Sequence, residues 1–279
     1  MSQDLKDGGD ISRVLRDFGR AAGGALVFSL PMLMTMELWA LGSYLDRSRM
    51  LLLIVTAMPL LILLSHYIGF ERTRTWRDDV VDAALALGIS AIVCVVLLAA
   101  FGTLTFETPP GQALGMVAIQ MVPAAIGALL AKAQFSEGQE DEGESPEREE
   151  TFGGELFLMA VGALFLGFNV APTEEILLTS FQMNDWHALA LVALSLALMP
   201  GFVFAVGFAG GSKVLPHEPW WSPFIRLTLP GYVIALSVSL YLLWIFGRLD
   251  GLGMDAIVMA TVVLAFPAAI GAAAARLIL

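Results

Sequence analysis

A single cysteine, Cys94, stands in the chain, so no disulfide framework can hold it together. Histidine is scarce as well: His66, His187 and His217 all fall at the ends of apolar segments or between them. That excludes the clustered imidazole and thiolate ligands that zinc and copper sites need. Charge is sparse too, with 15% Asp, Glu, Lys and Arg among 279 residues and a formal net charge of −11. Nucleic-acid binding wants a basic face, and that class is excluded. No short apolar core with a small-residue cleavage site opens the chain, and Asp4, Asp7, Asp10 and Asp17 are mixed among the early bases. A removable signal peptide is not expected from such a start.

What remains is apolar. Hydrophobic residues make up 57% of the chain and the mean hydropathy is +0.77, the composition of an all-α, polytopic membrane protein whose first partner is the lipid bilayer. Runs of about 20 apolar residues cross a hydrocarbon core as helices. The sequence predicts eight, over 22–45, 50–70, 80–104, 112–133, 155–181, 187–210, 223–247 and 254–278. Twelve of the 15 Lys and Arg residues fall on one side of these spans, leaving Arg47, Arg49 and Arg248 on the other. By the positive-inside rule both termini are expected in the cytoplasm.

Residues 136–152 carry a net charge of −7, which leaves only −4 for the rest of the chain. Their Glu, Gly, Ser and Pro content is that of a solvated tether. The expected organisation is therefore a cytoplasmic amphipathic segment at 1–21, a four-helix repeat over 22–135, an acidic cytoplasmic linker at 136–152 and a second four-helix repeat over 153–279. Ile11, Val14, Leu15 and Phe18 with Arg13, Arg16 and Arg20 suit a surface-lying lead-in to the first span.

The repeat is legible as fixed offsets, the first thing to look for in such a chain. Gly24 and Gly162, Thr35 and Thr173, and Glu37 and Glu175 are each 138 residues apart. Gly69-Phe70 and Gly207-Phe208 keep that offset. Phe101-Gly102 and Phe246-Gly247 differ by 145, and Pro123-Ala124-Ala125-Ile126-Gly127 and Pro267-Ala268-Ala269-Ile270-Gly271 by 144. Each copy has an even number of spans, so the two are expected to run parallel about an axis along the membrane normal. Such an axis preserves depth and is expected to bring Glu37 and Glu175 face to face at the repeat interface.

The segment Phe168-Asn169-Val170-Ala171-Pro172-Thr173-Glu174-Glu175-Ile176 is the one most at odds with lipid. A charged side chain in the bilayer costs about 2.5 kcal/mol or much more, so Glu37, Glu174 and Glu175 are the candidate cation-binding or proton-carrying residues. The plainer alternative is that Glu175, about 10 Å below the outer end of its span, only reaches toward the interface. Pro172 and Pro31 lack an N–H and free the carbonyls of Phe168 and Val27; opened backbone at that depth needs cover from protein or a wet cavity. Asn169 and Thr173, four apart, share a helical face, and they join Thr35 as secondary candidates. Converging acids need a cation or a proton to relieve their repulsion. Hard oxygen donors suit Ca²⁺, Mg²⁺ or Mn²⁺.

Three further features have structural readings. Gln120 and Ser195 lie deep in spans, where local pairing between helices is the expected role. Gly127 with Ala131, and Gly271 with Ala275, place small residues four apart, which suits packing inside a unit and homo-oligomer formation equally. Trp220-Trp221 suits an interfacial anchor.

Thr35-Met36-Glu37 and Asn169 to Glu175, on eight spans in two halves, resemble a family of bacterial integral membrane proteins of unassigned function. The resemblance implies a bacterial inner-membrane location and no mechanism. Ala171-Pro172-Thr173-Glu174-Glu175-Ile176 is also similar to the Glu-Glu segment of the prenyl-protein (CAAX-type) intramembrane proteases. That family implies an arginine four residues after the second acid and histidines on later spans; here Thr179 stands at the first position and spans six to eight hold no interior histidine. The expected function is cation transport, by a channel or a proton-coupled exchanger, with no catalytic residue and no resident cofactor beyond a bound or transported divalent cation. An intramembrane protease and an accessory subunit are the alternatives.

Overall fold

The computed structural model describes residues 18–19, 21–27, 29–32, 34–68, 75–136, 152–207 and 224–278. The amphipathic lead-in before Phe18, most of the acidic linker, Gly69-Phe70, Phe208, His217 and Trp220-Trp221 lie outside them. Among the described residues every regular element is helical, as lipid demands of a chain that must satisfy its backbone within each segment. The chain divides into two compact units, Met1–Pro146 and Glu147–Leu279.

In the first unit α1 (Ala21–Met32) and α2 (Met36–Tyr44) meet at 91°. They are followed by α3 (Arg47–Ile68), α4 (Trp76–Ala100) and α5 (Pro110–Ser136). In the second, α6 (Phe152–Val170) is interrupted at residues 171–174 and resumes as α7 (Glu175–Gln182); α8 (Asp185–Gly207), α9 (Leu229–Ile245) and α10 (Met254–Ile278) follow. A π-helical turn, Phe224–Thr228, leads into α9. Among the described residues six helices are long and apolar enough to cross a membrane: α3, α4, α5, α6, the stretch from Arg226 through α9, and α10. The bent pair α1 and α2 makes a seventh if it is one span. The predicted sixth span falls on α8, an apolar helix of 23 residues.

The last helix of each unit is its centre. Of its apolar window, α5 has 83% buried inside the protein, against 28% for α3 and α4; it packs on α2, α3 and α4. Likewise α10 packs on α6, α7, α8 and α9. With little hydrophobic drive between helices in lipid, such packing depends on small residues that let backbones approach. A Cβ on Gly162 would stand 2.6 Å from the Ala275 Cβ and closer still to the Gly271 carbonyl oxygen. The first unit has the same contact, with Gly24 against Gly127 and Ala131. The small-residue stripes thus serve packing inside each unit.

A second local device also occurs in both units. Beyond α4 and α9 the chain turns through Gly102 (φ 70°) and Gly247 (φ 73°), left-handed conformations that only glycine adopts without cost. The amide hydrogen bonds of the two turns match: Phe101 to Leu97, Gly102 to Ala99 and Thr103 to Leu98; Phe246 to Leu242, Gly247 to Trp244 and Arg248 to Leu243. Thr103 and Arg248 therefore occupy equivalent positions.

Gly162→Ala should lower thermal stability in detergent by about 1–3 kcal/mol, the usual effect of overpacking a tight contact. Gly153→Ala, on the same helix with nothing within 4 Å of its added methyl, should leave the melting temperature unchanged or slightly raised. Equal melting of the two variants would contradict the contact.

Candidate functional site

In the second unit the site begins with a proline. Pro172 has no N–H for the carbonyl of Phe168, and the Thr173 amide bonds to Val170 at 3.0 Å rather than continuing the ladder. The last regular bond of α6 runs from the Ala171 amide to Gly167, at 2.8 Å. Side chains close the end: Asn169 Nδ2 donates to the Phe165 carbonyl (2.9 Å) and Thr173 Oγ1 to the Val170 carbonyl (2.9 Å). Both sequence candidates thus use a donor on the backbone of α6 and keep their oxygen lone pairs for other partners.

The Pro172 carbonyl, turned out of the helix, accepts a hydrogen bond from Arg248 Nη2. What brings the arginine there is packing. Phe168 and Phe246, both buried, meet edge to face with ring centroids 5.6 Å apart, and the Gly247 turn sets the next residue over the end of α6. Arg248 is half-buried and its Nε is buried without a partner. Charge-assisted bonds of this kind are stronger than neutral ones. Thus a cation belonging to the chain meets the Pro172 carbonyl within the break.

Glu174 and Glu175 follow at once. Glu174 stands at the N-cap position of α7, without a side-chain bond to it, and Glu175 is the helix's first residue; both are exposed, and Leu178 donates its amide to the Glu174 carbonyl at 3.0 Å. An acid in the first turn complements the helix dipole, which accounts for a carboxylate at a helix start. It does not account for the start lying inside an apolar segment.

In the first unit Thr35 stands at the N-cap position of α2 without a side-chain bond to it, and Glu37, half-buried, is in the first turn. The Thr35 hydroxyl donates to the Pro31 carbonyl (3.0 Å) and its amide to Met32 (3.1 Å). Thr35 and Thr173 therefore do the same work, each returning its hydroxyl to the helix that ends before it. Among the described residues neither unit by itself gathers three His, Cys, Asp or Glu side chains.

Residues 17–279 match the family described as "Putative integral membrane protein (DUF2391)". The chain belongs to this family. Neither a curated protein nor a solved structure matches it. The DUF2391 match runs through both units and both helix breaks.

This DUF2391 chain also carries polar groups that sequence reasoning left aside. Asp79, near the start of α4, is wholly buried; its Oδ2 lies 3.0 Å from His66 Nδ1 at the end of α3, and its Oδ1 has no partner. The imidazole is stacked on Trp76, with centroids 4.7 Å apart, and Ser65 donates to Asp82 at 3.4 Å. The pair ties the two helix ends. Of the two polar residues expected to pair between helices, Ser195 instead bonds within its own helix, donating to the Leu191 carbonyl at 2.8 Å. Gln120 does not: it is fully buried and neither amide atom has a partner.

Arg248→Leu removes the donor on the Pro172 carbonyl and should cost about 1–3 kcal/mol, as expected for a buried acceptor left unmatched. Hydrogen exchange should rise at the amides of Ala171, Thr173 and Leu178. Unchanged exchange there would show that the arginine does not hold the break.

Proposed function

We propose that this protein moves hard cations across the bacterial inner membrane, with both termini in the cytoplasm, and that Glu37, Glu174 and Glu175 carry the cation or the proton exchanged for it. The observation that carries this reading is the broken helix of the second unit. The Pro172 carbonyl, in the break itself, already accepts from a positive charge, Arg248, and two carboxylates open the helix that follows. Carbonyls of interrupted helices together with carboxylates form the ligand set that hard cations take. The first unit supports the same reading with Thr35 and Glu37 at its own junction.

The carboxylates take the direct role in this reading. Asn169, Thr173 and Thr35 are supporting groups that shape the helix ends and offer neutral oxygens. Channel and proton-coupled exchanger share the same residues and differ in whether a carboxylate gives up a proton when the cation arrives. The reading assigns no catalytic step: Thr179, where the protease resemblance implies an arginine, is exposed on α7 and cannot supply that positive charge.

The test is flux in liposomes containing only this chain, comparing Ca²⁺, Mn²⁺, Mg²⁺, K⁺ and H⁺. Glu37→Gln and Glu175→Gln should each reduce flux at least about tenfold, the effect of removing roughly 1.4 kcal/mol of binding. Wild-type flux in both variants would take the acids out of the mechanism. Peptide cleavage by the same preparation would favour the protease, and flux that appears only with a second protein would favour an accessory subunit.

A further inference from the structure

At one end of the first unit α3 finishes and α4 starts, with α5 packed against both helices. There Asp79 of α4 is 0% exposed. Its Oδ2 lies 3.0 Å from Nδ1 of His66, whose side chain is 46% exposed, while its Oδ1 is buried and has no partner. Aromatic contacts fix the plane of the imidazole: Trp76 stacks on it with centroids 4.7 Å apart and the rings 7° from parallel, and Tyr67 meets it edge to face at 6.2 Å. One ring nitrogen therefore meets a carboxyl that water does not reach, on a ring that is itself open to water.

The charged groups nearby do not make this carboxyl an ordinary ion-pair member. On α4, Asp78 accepts from the Thr75 amide and hydroxyl at 2.9 and 3.0 Å, Asp82 lies one turn on and accepts from Ser65 of α3 at 3.4 Å, and Arg77 is exposed. The single charged residue of α5 is Lys132, toward its end. Among the described residues His66 is the one group bonded to Asp79. An ionised Asp79 beside a neutral ring would bury a full charge on one hydrogen bond, an arrangement that a protein interior penalises heavily. Nor does the fold require a polar tie here. By the offsets of 138 and 145 residues, the counterparts of His66 and Asp79 are Phe204 and Phe224, so the second copy has hydrocarbon at both positions.

We infer that Asp79 and His66 form a proton-binding site of the first unit, in which the pair holds one proton and exchanges it with water through the exposed imidazole. In loading, a proton from water adds to Nε2 and the ring passes the proton on Nδ1 to Asp79 Oδ2, leaving a neutral ring and a neutral carboxyl; unloading is the reverse. The charge of the pair changes from −1 to 0, and the proton belongs to the pair rather than to either residue. Chains of Asp, Glu and His are what proton relays in membrane proteins are built from. The site goes beyond the transport reading above and stands whether or not the chain moves cations.

The experiment steps the full chain in lipid from neutral to mildly alkaline buffer and counts the protons released with an indicator dye, for wild type, Asp79→Asn and His66→Phe. The first variant keeps the size of the side chain and the second keeps a ring against Trp76, so either suffices if the other fails to fold. The wild type should release about one proton per chain more than each variant, the proton that the pair holds. Infrared difference spectra of the same step should show the carboxyl band that Asp79→Asn removes and the ring band that His66→Phe removes changing together in the wild type. Equal release from all three proteins would mean that the pair stores no proton and only ties α3 to α4, and would overturn the inference. Wild-type release from His66→Phe, with loss in Asp79→Asn, would assign the proton to the carboxyl alone and overturn the role of the imidazole.

Discussion

Inside a bilayer the backbone has no water to turn to, so every carbonyl released by a break in a helix must be met by another group. That constraint shapes both units. Thr35 and Thr173 return their hydroxyls to the helix ends before them, Asn169 does so with its amide, and Arg248 reaches the carbonyl that Pro172 turns outward. The central helices α5 and α10 supply the cover. They can do so because glycines at the contacts, Gly24 with Gly127 and Gly162 with Gly271, let the backbones approach where any Cβ would hold them apart.

On this common plan the two units differ in charge. At its break the second unit holds Glu174, Glu175 and Arg248; the corresponding first-unit residues include Glu37, and Thr103 stands in the place of the arginine. With each acid ionised, the formal balance is −1 in both cases. Where the second unit has the buried Leu264, the first has the buried Gln120. One copy thus combines paired acids with an internal cation, and the other a lone acid with a neutral amide.

Much of this was legible in the sequence. Offsets of 138, 144 and 145 residues pick out the very glycines that make the same close contact in each unit and the Phe-Gly turns that end α4 and α9. Pro172 marks a real interruption of a helix, because a missing N–H is a property of the residue alone. Other features are not local and could not be read that way. Arg248 counts in the sequence only as one of three bases on the sparsely charged side; its contact with Pro172 is made by Phe168, Phe246 and the Gly247 turn, 76 residues away along the chain. Asp79 looks like an ordinary acid at a helix start, and only the packing of α3 on α4 shows that it is buried against His66. Gln120 looked like a residue with a local partner, and the partner is missing. The length of the predicted first span gives no sign that α1 and α2 meet at a right angle, since apolar composition runs through the bend.

Infrared difference spectroscopy on the protein in lipid, with and without Mn²⁺, reports directly on whether carboxylates take up the cation. The account predicts a cation-dependent change in the carboxylate stretching bands that is diminished in Glu37→Gln and in Glu175→Gln. A difference spectrum with no carboxylate signal, or one identical in wild type and both variants, would contradict it.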